Sequence, residues 1–280
     1  MKKILPLLPL IILILSPISC FATATQAELT IDALGAIMFI GDSYCMGANL
    51  DNTQQEIPAQ SWAQQTIDAL NITQSITACR GGTGFINQSD GVDFQALLES
   101  KSSDPAAATV GWIIVGGGYN DQYYSHDEIV SRGAEFIQRA HELYPAANIA
   151  IAMNGWHATD TNVQSALQAT AVAYQDLATA DGAIYLSAAE QALANGDYFS
   201  NDNFHPNAAG QTVLASSIID FLNNQLADLA TAQSASALLD TTYLTTLVPL
   251  GSVAALLVTI VAILAIRPRL AEAVRRHHRA

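Results

Sequence analysis

A serine, a histidine and an aspartate, held in two widely separated stretches, are the residues of this chain best suited to chemistry. The first stretch is Ala36-Ile37-Met38-Phe39-Ile40-Gly41-Asp42-Ser43-Tyr44, an apolar run that stops at a glycine with an acid and a serine behind it. The second is Asn201-Asp202-Asn203-Phe204-His205-Pro206-Asn207. Asp202 stands three residues before His205, so one turn of chain can bring its carboxylate onto one ring nitrogen. The other nitrogen is then free to face a serine. Ser43 placed there would be a nucleophile with a base and an orienting acid, the arrangement that splits esters through an acyl-serine.

Such a reaction also needs donors for the oxyanion. The loop Arg80-Gly81-Gly82-Thr83-Gly84-Phe85 can expose a backbone N–H at Gly82, or at Gly81 in its place, and Asn120 in Gly118-Tyr119-Asn120-Asp121 offers a side-chain amide. Tyr44, Tyr119, Trp156 and His157 fall in loops at the same predicted edge, where they could line a substrate pocket or pack as ordinary loop residues. His126-Asp127-Glu128 reads as the acidic first turn of a helix rather than a metal site.

These groups need elements to position them. Ile37 to Ile40 reads as a buried strand, and Gly41 can take backbone angles that allow a sharp turn. Further strands are expected at Gln74–Ala78, Thr109–Val115, Asn148–Met153 and Ala183–Leu186. Helices are expected at Ala59–Leu70, Phe94–Ser100, Asp127–Leu143, Thr161–Ala178 and Ala208–Leu229. This alternation predicts a parallel sheet with helices on both faces, and open sheets of that kind hold ligands at the carboxyl edge. Ser43, Gly82 and Asn120 each follow a predicted strand at that edge.

Gly41-Asp42-Ser43-Tyr44, the glycine after the second strand, Gly118-Tyr119-Asn120-Asp121 and Asp202-Asn203-Phe204-His205-Pro206 occur in the order seen in the SGNH hydrolases, the GDSL-type esterases and lipases. The resemblance covers about residues 37–223. It implies a three-layer αβα flavodoxin-like sandwich. It also implies Ser43 as nucleophile, His205 as general base, Asp202 as its partner, and an oxyanion hole from the Ser43 N–H, the Gly82 N–H and the Asn120 side chain. Tyr44 and Cys45 depart from the Leu-Ser-type residues common after Gly-Asp-Ser. The rival Gly-x-Ser-x-Gly elbow fails at Cys45, and Cys45 paired with His205 is a further alternative nucleophile.

The ends of the 280-residue chain read as targeting segments. Lys2 and Lys3, the apolar run Ile4–Ile18 and Ala22-Thr23-Ala24 form a secretory signal over 1–24; a lipoprotein site at Cys20 and an uncut anchor are the lesser readings. Residues 243–266 carry no charge and are long enough to span a bilayer as a helix. Five arginines crowd the 267–280 tail, which places that tail in the cytoplasm and the 25–230 domain outside, joined by an Ala/Ser/Thr linker at 231–242.

The stretch from Glu28 to Asp240 holds 24 of the 25 acidic residues and four of the 11 basic ones, a formal balance of −20. Such a domain repels nucleic acid. Cys45 and Cys79 follow neighbouring strands, so a disulfide and two free thiols both fit. The expectation is a membrane-tethered extracellular esterase with no metal or organic cofactor, acting on short acyl esters, with O-acetyl on a surface glycan the first candidate. A lipase or thioesterase on longer chains, and a glycan-binding module without turnover, are the alternatives.

Overall fold

A computed structural model describes residues 29–50 and 58–240. The predicted signal at 1–24, the span at 243–266 and the basic tail at 267–280 lie outside the described residues. Among the described residues, no helix is long and apolar enough to cross a membrane.

Five parallel strands form one sheet in the order β2-β1-β3-β4-β5: β1 (Ala36–Gly41), β2 (Ser75–Cys79), β3 (Val110–Gly117), β4 (Asn148–Met153) and β5 (Ile184–Tyr185). Every residue of β1 is buried. Alternate side chains of a strand point to opposite faces, so β1 feeds two cores. Met38 and Ile40 pack with Phe94, Val115 and Phe136 on one face, while Ile37 and Phe39 pack with Trp62, Ile114 and Leu214 on the other. A strand apolar at every position is what a sheet covered on both faces demands.

The first core is closed by α2 (Phe94–Ser100), α3 (His126–Leu143) and α4 (Thr161–Ala180). The second is closed by α1 (Trp62–Leu70), α5 (Ser187–Ala192) and α6 (Ala208–Asp240). The result is the expected three-layer α/β architecture. Short polar side chains set the helix starts: Ser61, Asp93 and Asp160 accept from N–H groups of the first turns of α1, α2 and α4. Ser125 and Glu128 form a reciprocal capping box on α3.

Two elements differ from expectation. Residues 187–192 form a short helix, α5, that the strand–helix alternation does not signal. Residues 231–240, read as the start of a linker, continue α6 as helix. Their alanines favour helix more than loop, and a helix advances about 1.5 Å per residue where an extended linker would span more than twice that.

The sheet order places β1 between β2 and β3, and the chain leaves β1 toward β2 but β3 toward β4, so the loops after β1 and β3 diverge at the carboxyl edge. That divergence is where sheets of this order open a crevice. Ser43, Gly82 and Asn120 lie on the three loops that border it.

Candidate active site

Ser43 sits two residues past β1 in a tight succession of turns, with Asp42 O accepting from Met46 N (3.1 Å) and Ser43 O from Ala48 N (2.9 Å). Gly41 keeps an ordinary extended conformation, which corrects the expectation of unusual backbone angles there. A glycine is needed for space instead: a Cβ at Gly41 would meet the Cys45 side chain and lie 2.8 Å from the Gly116 carbonyl oxygen. Cys45 is bonded to Cys79 at the end of β2, with Cα atoms 5.6 Å apart. The bond removes free thiols from consideration and Cys45 with them as a nucleophile. It also ties the turn bearing Ser43 to the strand that leads to Gly82.

The loop before α6 is closed by bonds from Ser200 N to His205 O (2.8 Å) and from Asn203 N to Ser200 O (2.9 Å). It turns back on the Asp202 carboxylate, whose Oδ1 accepts from the N–H groups of Phe204 (2.9 Å) and His205 (3.0 Å). His205 Nδ1 lies 2.7 Å from Asp202 Oδ2, and His205 Nε2 lies 3.0 Å from Ser43 Oγ. Nδ1 therefore carries a proton toward the carboxylate and Nε2 faces the serine hydroxyl. Burial acts to raise the Asp202 pKa, but hydrogen bonds from the His205 side chain and the two backbone N–H groups outweigh it and leave the carboxyl lowered. Asp202 therefore stays ionised and holds the ring.

Gly82 takes a left-handed conformation at φ +78° that favours glycine. Among the described residues, no acceptor engages the N–H of Gly82 or of Ser43. The Gly81 N–H instead meets Met46 Sδ at 2.9 Å. The Asn120 side-chain amide donates to Thr83 O at 2.9 Å and lies 3.4 Å from Asp42 Oδ2. It does not cap α3; Ser125 does. The glycine loop comes alongside Ser43 at Gly81, where a Cβ would stand 3.5 Å from the Ser43 Cβ, and Asn120 reaches the neighbouring Asp42.

Two buried carboxyls that the sequence reading left without a role brace this arrangement. Asp121 accepts from the N–H groups of Phe85 (2.8 Å), Ile86 (3.2 Å) and Asn87 (2.9 Å) and from the Tyr174 hydroxyl (2.7 Å). Burial pushes its pKa up, opposed by those bonds. Asp42 accepts from Tyr44 N (2.9 Å), and burial, reinforced by the nearby Asp121 charge, pushes its pKa up to about 7. The adjacency of Asp121 to Asn120 was the signal available in sequence. Its partners are 34 to 53 residues away, out of reach of local pattern.

The aromatic candidates separate. Tyr44 is fully buried and donates its hydroxyl to Phe204 O at 2.7 Å, so it braces the histidine loop and does not line a pocket. Trp156 is 9% exposed, packs in the α2–α4 core and donates to Gln164 Oε1. Both corrections have one cause: an aromatic ring buries a large apolar area and is drawn into whichever core is within reach. His157 is half-buried, its ring centroid 6.0 Å from that of Phe199, with no contact to the Ser43–His205 pair. Tyr44 packs under the site from within, its ring 6.0 Å from that of His205, and Tyr119 borders it, with its ring 4.1 Å from Phe204, whose own ring lies 4.2 Å from His205. Phe204, part-exposed beside the imidazole, is a wall of the site that the sequence reading did not single out.

A model of the GDSL-like lipase/acylhydrolase family matches residues 39–213. No curated protein matches the chain. Among solved structures, the fold is similar to a family two carbohydrate esterase from Clostridium thermocellum in complex with cellohexaose (TM-score 0.52, 16% identity, covering 69% of this chain and 64% of that one). It is also similar to Est24, a carbohydrate acetylesterase from Sinorhizobium meliloti (0.52, 15%, 68% and 99%), and to a lipolytic G-D-S-L protein from Veillonella parvula (0.51, 14%, 66% and 96%). The chain thus spans less than two thirds of the Clostridium esterase and nearly all of the other two.

Proposed function

The chain belongs to the GDSL-like lipase/acylhydrolase family, whose chemistry is ester hydrolysis, and from that premise we propose a serine esterase that removes short acyl groups, O-acetyl above all, from a surface glycan. The observation that carries this reading is the continuous relay from Ser43 Oγ through His205 to Asp202, at 3.0 and 2.7 Å, with the Ser43 and Gly82 N–H groups left without an acceptor among the described residues.

In this reading His205 Nε2 takes the Ser43 proton as Oγ bonds to the ester carbonyl carbon. The carbonyl oxygen becomes an oxyanion, met by the N–H groups of Ser43 and Gly82 and by the Asn120 amide. The intermediate collapses, the alcohol leaves with the proton returned by His205, and an acyl-serine remains. Water, deprotonated by the same histidine, attacks that carbonyl; the acid departs and Ser43 regains its proton. Asp202 holds the imidazolium at each step.

The glycan assignment is supported by the carbohydrate esterases among the similar folds and by the aromatic wall of Phe204 and Tyr119. Membrane anchoring through residues 243–266, with the domain outside and the arginine tail inside, is part of the proposal and rests on hydropathy and charge alone. Protease added to intact cells should remove the domain and protect the tail; the reverse pattern defeats that topology.

The activity is tested with the purified chain on p-nitrophenyl esters of increasing acyl length, on acetylated glycans and with a fluorophosphonate probe. Acetyl esters should turn over fastest, with labelling lost in Ser43→Ala. Labelling that survives that change, or no turnover at any length, rejects the esterase. Preference for long acyl chains or thioesters would transfer the assignment to a lipase or thioesterase.

A further inference from the structure

The Asp202 carboxylate receives a fourth donor, from a residue that no motif marks. Asn49 Nδ2 lies 2.5 Å from Asp202 Oδ2, the same oxygen that His205 Nδ1 meets at 2.7 Å, and 3.4 Å from Nδ1 itself. With Phe204 N and His205 N on Oδ1, each carboxylate oxygen accepts two hydrogens. A carboxylate has about four acceptor sites, so Asn49 completes the set. It is also the one donor of the four that comes from outside the Asp202–His205 loop.

We propose that Asn49 is a positioning residue, fixing the Asp202 carboxylate so that His205 stays aimed at Ser43. Asn49 lies six residues after the nucleophile, on the run of turns that Ser43 begins, with Gly47 O accepting from Leu50 N. The amide therefore ties the nucleophile turn to the histidine loop, across 153 residues of chain, on the side of the ring opposite Ser43. The two stretches then meet at both nitrogens of His205: Ser43 at Nε2 and, through Asp202, Asn49 at Nδ1. Three of the four donors on Asp202 belong to its own loop, which the Tyr44 hydroxyl ties to the nucleophile turn at Phe204 O but not at the carboxylate. Only the bond from Asn49 registers the carboxylate against the turn that carries the serine.

Asn49 also has φ +63°, a left-handed conformation that asparagine tolerates better than most residues. Backbone conformation alone could therefore account for an asparagine here, and the test must separate that role from the amide. Asn49→Gly does so, because glycine takes the same backbone conformation freely and deletes the donor. Asn49→Asp keeps the shape and replaces the donor with a second carboxylate facing Asp202.

The inference rests on the proposed roles of Ser43, His205 and Asp202, so Ser43→Ala and Asp202→Ala are measured beside both variants on p-nitrophenyl acetate. Asn49→Gly should lower kcat roughly three- to tenfold, the net worth of an ordinary hydrogen bond once solvent weakens its charged partner, with KM and melting temperature close to the parent's. Asn49→Asp should lose more. In the Asp202→Ala background Asn49→Gly should have no further effect, because a residue that acts through Asp202 has nothing left to position. Full activity in Asn49→Gly, with Ser43→Ala inactive, overturns the positioning role and leaves the esterase standing. An equal loss with and without Asp202 assigns Asn49 to local folding and also overturns it. Full activity in Ser43→Ala rejects the esterase reading itself.

Discussion

Asn120 is pinned to Thr83: its side-chain amide donates to the Thr83 carbonyl at 2.9 Å, joining the loop after β3 to the loop after β2. The two loops are thereby held in register on either side of the turn bearing Ser43. The amide's other contact, to Asp42 Oδ2, is long at 3.4 Å, and in the proposed reaction the donor there turns to the developing oxyanion while the Thr83 bond holds the side chain in place. Preorganised donors of this kind are worth more than donors that must be recruited during reaction.

Asn120→Ala should therefore reduce kcat by about 10²–10³ with a small change in KM, the range seen on removal of one oxyanion donor. Steady-state kinetics on an acetyl ester check this. A change confined to KM would mean that Asn120 meets the ground state only.

Asp121→Ala should be among the most damaging single changes outside the relay. It would leave three loop N–H groups and the Tyr174 hydroxyl without their acceptor. The expected cost is about 3 kcal/mol or more, since each buried group left unsatisfied costs about 1–3 kcal/mol. Tyr174→Phe removes one of those four bonds and should cost about 1 kcal/mol. Urea denaturation of both variants gives the comparison, and equal midpoints would contradict it.

The Cys45–Cys79 bond closes a loop of 34 residues and should contribute about 3–4 kcal/mol by restricting the unfolded chain. A Cys45→Ser, Cys79→Ser variant should melt well below the parent and also lose kcat, because the bond ties the turn of Ser43 to the strand leading to Gly82. A variant equal to the parent treated with reductant, and both lower than the oxidised parent, would isolate the bond as the cause.

Asp42 sets a pH dependence of stability. Its carboxyl ionises near 3.8 in a free chain and is pushed to about 7 in the fold by burial. Between those values the folded chain holds a proton that the unfolded chain has released, so folding is favoured by acid. The contribution is full below about pH 4 and is lost as pH rises through 7. Asp42→Asn stays neutral throughout. Its melting temperature relative to the parent should rise from pH 5 to pH 8.5, and a constant difference would refute the shift.

What the sequence determined by itself was everything that repeats locally or sits next to its partner along the chain. Strand–helix alternation gave the parallel sheet, and two elements, Phe94–Ser100 and Asn148–Met153, have the predicted ends. Asp202 and His205 are three residues apart, so their pairing is written in their spacing, and Ser43 was marked by the strand and glycine before it. The periodicity of burial and the chemistry of adjacent groups are both properties of neighbours.

Only the tertiary structure decided what depends on distant contacts. It took Tyr44 and Trp156 into the interior, where apolar area is best hidden, although both lie at the loop edge in sequence. Bonding Cys45 to Cys79 closed a choice that spacing left open. The anchor of the Phe85–Asn87 backbone on Asp121, and the amide of Asn49 on a carboxylate 153 residues away, also appear only in the folded chain. An asparagine or aspartate at the end of a turn carries no sign of its partner. Which donor meets which acceptor is fixed by how two loops are brought to one edge of the sheet, and that placement is the work of both cores acting together.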